Sequence, residues 1–247
     1  DIKYFVDKIK ADRISDIYEF TRKGQELFLR IENSAKLTVT ILDGLSMGGG
    51  SELALACQAI IATPAGSMGF PETAIGIFPG LGGMLRMARF AGAELAKYYV
   101  FTGVPLSAAD AHELGIITRL VEPAEVEATI NQLVSETKPD KYQPIDLPER
   151  FKTLAQVCSS ENVAKLLAGE MPEKVSEEIA AKTAKLISYR APLALKIANE
   201  IIDEQIGKSI TEAVEIELGR LTEIFSTADA LEGLSSMGRK RPGYKGA

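Results

Sequence analysis

Histidine occurs once in the 247 residues, cysteine twice, and basic residues are outnumbered, 28 Lys and Arg against 34 Asp and Glu. Each shortage removes a class of chemistry. With His112 alone and no clustered cysteines, the common zinc constellations lack ligands and a Ser/His triad is not expected. Cys57 and Cys158 are far apart and form no CxxC motif. They cannot build a disulfide framework and are expected as buried small apolar residues. The net charge of −6 and a pI near 5.1 argue against neutralising a phosphate backbone, so nucleic acid is not an expected partner. No run approaches the roughly 18 consecutive apolar residues of a membrane span, and from Asp1 onward there is no signal-peptide pattern. The expectation is no membrane partner and a cytoplasmic compartment. Carboxylates, backbone amides or a cofactor must carry any chemistry.

Hydrophobic residues make up 46% of the chain, enough to bury a sizeable core as one large domain or a domain plus an appendage. Residues 2–31 place Phe5, Ile9, Ile14, Ile17, Phe20, Leu27 and Ile31 at intervals that predict one or two amphipathic helices. The β-branched run at 37–42 predicts a short buried strand ending at Asp43-Gly44. Gly48, Gly49 and Gly50 follow, then a good helix former from Glu52. Short strands are expected at 59–63, 67–70 and 116–121, and helices at 84–90, 93–101 and 107–114. Beyond Pro123 the pattern is helical: 124–136, a Pro-punctuated linker at 138–148, then helices near 149–158, 161–167, 175–188, 192–205 and 210–225. The reading is α/β, with a core at 1–122 and a helical C-terminal region at 123–247.

Three glycines directly before a helix leave backbone N–H groups unshielded at the positive end of the helix dipole, a suitable donor set for a developing oxyanion. They also serve as an ordinary strand-to-helix turn. Glu52 in the first helical turn reads equally as a dipole-stabilising carboxylate, and Glu72 after Pro71 as a surface turn residue. Converging beside an oxyanion donor, the two carboxylates would suffice for general acid and base work. The segment Pro79-Gly80-Leu-Gly-Gly83 is too weak for a dinucleotide fingerprint, and Gly80 is expected to offer another helix-start N–H to the same cavity. The tail bearing Arg239, Lys240, Arg241 and Lys245 reads as a solvated end or as an attraction for a phosphorylated ligand. His112 reads as a surface residue of a short helix opened by a Ser107-x-x-Asp110 cap.

In order along the chain, Asp43-Gly-Leu-Ser-Met-Gly-Gly-Gly-Ser-Glu-Leu-Ala-Leu-Ala-Cys57, Phe70-Pro-Glu-Thr-Ala-Ile-Gly-Ile-Phe-Pro-Gly-Leu-Gly-Gly83, Leu85-Arg86, Thr102-Gly103 and Ser107-Ala-Ala-Asp-Ala-x-Glu-Leu-Gly115 resemble the signature of the enoyl-CoA hydratase/isomerase (crotonase) superfamily. The resemblance spans nearly the whole chain. It implies a ββα spiral core, its opening strands expected to be absent, with helices over an acyl pocket that also mediate assembly. It implies Gly49 N–H in the oxyanion hole, Glu52 and Glu72 as the catalytic glutamates, and Gly80 N–H holding the water. Members with both glutamates are typically hydratases, so the implied reaction is hydration of a trans-2-enoyl-CoA in fatty-acid or related acyl-CoA metabolism. CoA belongs to the substrate and no cofactor or metal is implied. The rival readings are an acyl-CoA thioester hydrolase, an enoyl-CoA isomerase, or a catalytically silent binding or assembly module.

Three departures add expectations. The family's other oxyanion N–H precedes an Asp-Ile pair, here Asp1-Ile2. That donor is therefore expected just before Asp1, with a chain lacking it nearly inactive and showing an unpaired sheet edge. Gln58 stands where the family usually has Asp, so a local contact is expected to differ. The long helical stretch 138–173 resembles hydratase domains fused behind a 3-hydroxyacyl-CoA dehydrogenase. A homo-oligomer, fused to or associated with such a dehydrogenase, is the expected assembly.

Overall fold

A computed structural model describes residues 1–136, 140–143 and 145–247. The N-terminal helical region is two helices. In α1 (Ile2–Lys10) the carboxylate of Asp1 caps the first turn, accepting from Lys3 N at 3.0 Å. Asp12, at φ +55°, turns the chain into α2 (Ile14–Glu32), whose buried stripe is Ile17, Thr21, Gln25 and Phe28. Two polar residues in that stripe are the first sign that this face meets more than a hydrophobic core.

Strand β1 (Val39–Leu42) bends at Asp43-Gly44 into β2 (Leu45–Met47), followed by α3 (Gly49–Ala56), β3 (Ala59–Ala62) and β4 (Ser67–Gly69). β2 escapes a sequence reading because three residues are too few to show alternation. β1 pairs in parallel with β3 from Val39↔Ala59 to Leu42↔Ala62, and β2 in parallel with β4 from Leu45↔Ser67 to Met47↔Gly69. Each of these two turns of chain thus lays one strand in each of two sheets before a helix, which is the ββα winding that the resemblance implied. A 3₁₀ turn (Glu72–Ile75) leads on to α4 (Gly83–Ala91), α5 (Ala93–Thr102), β5 (Leu106–Ser107), α6 (Ala108–Glu113) and β6 (Arg119–Leu120). The sheets run β1-β3-β6 and β2-β4-β5, and among the described residues β1 and β2 have one partner each. The strand expected over 116–121 shrinks to β6 because Ile116 N and Ile117 N donate to Ala111 O instead.

Gln58 explains its own departure from the family's Asp. Its amide nitrogen donates to Glu32 O and Ser34 O, and its Oε1 accepts from Thr38 N. A carboxylate could not supply the two donated bonds that close the end of α2 onto the start of β1.

The C-terminal half comprises α7 (Val126–Ser135), α8 (Glu149–Val157), α9 (Ser160–Leu167), α10 (Glu177–Ile187), α11 (Pro192–Glu204), α12 (Ile210–Gly219), α13 (Leu221–Phe225) and α14 (Ala228–Ser236). Lys138, Pro139 and Pro144 of the expected 138–148 linker lie outside the described residues. The single helix expected over 210–225 is broken at Arg220, and α14 was not expected at all. Its start is fixed by Thr227, whose hydroxyl accepts from Ala230 N at 3.0 Å. The tail is not simply a solvated end. Asp229, 2% exposed, accepts from Lys245 N and Gly246 N, and Tyr244 OH donates to Ala74 O at 2.6 Å. The four basic side chains of the tail remain exposed. One hydrophobic cluster joins the spiral to α8–α14, and both cysteines are buried and free. No helix among the described residues is long and apolar enough to cross a membrane.

Candidate active site

The four residues singled out in the sequence meet at one cavity of about 290 Å³, lined by Gly49, Glu52, Glu72 and Gly80 with Asp1 at its edge. Its apolar wall comes from Phe5, Phe20, Leu221 and Phe225, on helices from opposite ends of the chain. Phe5 stacks on Phe225 with centroids 5.4 Å apart and meets Phe20 edge-on at 6.0 Å. Such a wall suits a hydrophobic ligand beside two ionisable groups.

Gly49 is the first residue of α3, so its N–H has no acceptor within the helix. Its neighbour Gly48 combines a left-handed backbone with no room for a side chain. It sits at φ +55°, and a Cβ there would come 2.6 Å from Glu72 Oε1. At Gly49 a Cβ would find only ordinary contacts, 3.8 Å to Leu81 Cδ1 and 4.0 Å to Glu52 Oε2. Gly48 thus allows the Glu72 carboxylate to approach the start of α3.

Glu52 lies in the first turn of α3, but its carboxylate serves another helix. Oε1 accepts from Leu81 N at 2.8 Å and Gly83 N at 3.0 Å, two amides at the start of α4. Gly83 must lack a side chain for this, since its Cβ would stand 2.9 Å from Glu52 Cγ and 2.7 Å from Phe70 Cε1. Burial pushes the Glu52 carboxyl up from 4.5 to about 7, against the pull of the two amides and Arg86. Glu72, carried on the 3₁₀ turn, is 8% exposed, and its Oε2 has no hydrogen-bond partner among the described residues. Burial and the nearby charge of Glu52 raise its proton affinity well above the ordinary value. The two carboxyls therefore differ: one has amides to stabilise its anion, the other is driven to keep its proton.

Gly80 lines the cavity but does not start a helix, as the sequence had suggested. The N-cap of α4 is Gly82 and the helix begins at Gly83. The amides of that start are committed to carboxylates, Leu81 N and Gly83 N to Glu52 and Gly82 N to Glu217. Glu217 was missed, together with Gln25, Gln205 and the role of Arg86. Arg86, fully buried, pairs with Glu32 at 2.8 Å and donates to Leu81 O at 3.2 Å. The available signal was placement: Gln25 and Glu217 fall on the apolar stripes of their helices, beside Thr21 and Phe28 and beside Val214 and Leu218. The described residues include no cluster of His, Cys, Asp and Glu that could hold a metal ion.

The profile of the enoyl-CoA hydratase/isomerase family matches residues 1–239. A probable mitochondrial enoyl-CoA hydratase 2 of Arabidopsis thaliana is 28% identical over 233 residues, covering 94% of this chain and 61% of the relative. A peroxisomal fatty acid beta-oxidation multifunctional protein of the same plant is 36% identical over 160 residues, 60% of this chain and 20% of the relative. The crystal structure of an enoyl-CoA hydratase from Rhodobacter sphaeroides superposes with a TM-score of 0.82 at 26% identity, over all of this chain and 74% of the other. The chain thus spans less than two thirds of those two curated relatives.

Proposed function

Because the chain belongs to the enoyl-CoA hydratase/isomerase family, we propose that it adds water across the double bond of a trans-2-enoyl-CoA thioester, with Glu52 as base and Glu72 as acid. The observation that carries the reading is the pair of buried carboxyls on one cavity, both raised in proton affinity, of which Glu52 has two amide donors for its anion while Glu72 Oε2 has no partner among the described residues. Glu52, its anion held by Leu81 N and Gly83 N, takes a proton from water as the water oxygen bonds to C3. Glu72 delivers its proton to C2. The thioester oxygen gathers charge in between, and Gly49 N–H at the start of α3 is assigned to receive it. Gly80, on the same cavity, is assigned to holding the water. After release of the hydroxyacyl product, the proton on Glu52 returns to Glu72 by exchange with solvent.

The acyl chain is assigned to the wall of Phe5, Phe20, Leu221 and Phe225, and CoA enters as part of the substrate, with no separate cofactor in the scheme. We assign residues 1–122 to the spiral core and 123–247 to the helical region. Assembly as a homo-oligomer, and fusion to or association with a 3-hydroxyacyl-CoA dehydrogenase, belong to the same proposal; the similarity to a multifunctional β-oxidation protein supports the second. The two free cysteines fit a reducing compartment such as the cytoplasm.

The test is turnover of crotonyl-CoA by the full-length protein, followed through loss of the conjugated enoyl-thioester absorbance and by product mass. Hydroxyacyl-CoA should form, and Glu52→Gln and Glu72→Gln should each lower kcat by at least about 10²-fold. Stoichiometric release of free CoA would mean thioester hydrolysis instead. A shifted double bond without water would mean isomerisation, and binding without turnover an assembly module. Each of these outcomes overturns the hydration reading.

A further inference from the structure

The start of α4 is gripped from two sides. Three successive amides, Leu81, Gly82 and Gly83, point alternately: the outer two donate to Glu52 Oε1, and the middle one donates to Glu217 Oε2 at 2.9 Å. Glu217 comes from α12, is 0% exposed, and does not line the cavity. Its carboxylate is held in turn by Gln25 Nε2 at 2.7 Å and Gln205 Nε2 at 3.1 Å. The Gln25 amide also donates to Gly80 O at 2.8 Å. Gln25 therefore ties the Gly80 turn and the Glu217 carboxylate together. From these contacts we infer that Glu217 is a positioning residue: by holding Gly82 N–H, with Gln25 and Gln205 behind it, it keeps the flanking Leu81 and Gly83 amides aimed at Glu52.

Removing the carboxylate would leave Gly82 N–H without its acceptor and the Gln25 amide with Gly80 O alone, a cost the turn would relieve by rotating toward other acceptors. Rotation of Gly82 carries Leu81 and Gly83 with it, because all three share one peptide turn. Glu52 would then lose the donors that stabilise its anion. The charged groups that act on Glu217 are Glu52 on α3 and Arg86 on α4, while its direct partners Gln25 and Gln205 are neutral. Burial first, then the charge of Glu52, lifts its carboxyl to about 7 despite these donors. Ionisation of the two acids is therefore mutually opposed, so charge and geometry at Glu217 must be separated by experiment.

Glu217→Gln removes the charge and keeps an acceptor oxygen for Gly82 N and Gln25; Glu217→Ala removes both. For catalysis the inference rests on the hydration reading, but the titration of Glu52, followed by carboxyl carbon NMR in the ligand-free protein, does not. Glu217→Gln should keep kcat within about 3-fold of the parent, and Glu217→Ala should lower it about 10-fold or more with KM unchanged. The Glu52 midpoint should lie about one pH unit or more higher in Glu217→Ala than in Glu217→Gln. Should Glu217→Ala fail to fold, Gln25→Leu supplies the same comparison through loss of the bond to Gly80 O and should raise the Glu52 midpoint. Equal Glu52 midpoints in the Ala and Gln variants, or equal impairment of both, overturn the inference. If the parent protein hydrates no enoyl-CoA, the functional reading fails while the titration still decides the role of Glu217.

Discussion

Replacing Glu52 by glutamine should make the protein inactive and, above neutral pH, more stable. Glutamine retains the oxygen that accepts from Leu81 N and Gly83 N but cannot ionise. In the parent, burial raises the Glu52 carboxyl from 4.5 to about 7. Below pH 4.5 the group is protonated in both folded and unfolded chains, and the stability linked to its raised proton affinity is fully present. Between 4.5 and 7 the unfolded chain has released the proton that the folded chain retains, so that stability is lost as the pH rises through the folded value. A rise of this size corresponds to about 3 kcal/mol, at about 1.4 kcal/mol per pH unit. Glu52→Gln should therefore match the parent near pH 4 and exceed it by about 3 kcal/mol at pH 8. Urea unfolding across that range reads the difference directly, as a parent curve that falls with pH more steeply than the variant curve. Equal or lower stability of Glu52→Gln at pH 8 would refute the idea that the anion is held against a burial penalty.

Within the glycine triplet, Gly48→Ala should be the damaging change, since φ +55° and 2.6 Å to Glu72 Oε1 leave no place for a methyl group; turnover should fall by about 10²-fold. Gly49→Ala, whose Cβ meets nothing closer than 3.8 Å, should fold normally and lose less, and the reverse order in steady-state assays would contradict the placement of Glu72. Arg86→Met should cost about 3 kcal/mol or more in thermal or urea unfolding, because it breaks a buried pair and leaves the Glu32 carboxylate to Lys141 alone among the cations. A loss below about 1 kcal/mol would show that Lys141 already compensates the charge.

Local chemistry was legible in the sequence wherever a residue acts through its chain neighbours. A glycine triplet before Glu52 has to be a turn opening a helix, and α3 starts at Gly49. The β-branched run before Asp43-Gly44 has to be a short strand, and β1 is one. Ser107 with Asp110 makes the expected cap on α6. The ordered motifs also identified the family, and the four site residues do share one cavity.

Reading failed where a residue acts on a segment distant in sequence. Gly80 seemed a helix-start donor because glycine before an amphipathic run suggests one, but the helix starts three residues later and its amides belong to Glu52 and Glu217. Glu217 and Gln25 lie 192 residues apart in the chain, on two different helices, and no spacing rule connects them. The tail is fastened to Asp229 and to Ala74 O, contacts that polar composition conceals. What the sequence by itself determined was therefore the set of groups: two glutamates, the glycines around them, and the strand-turn-helix grammar that brings backbone N–H groups near. Which glutamate keeps its proton was decided only by tertiary structure, because proton affinity follows burial and the direction of amides donated from another turn of the spiral.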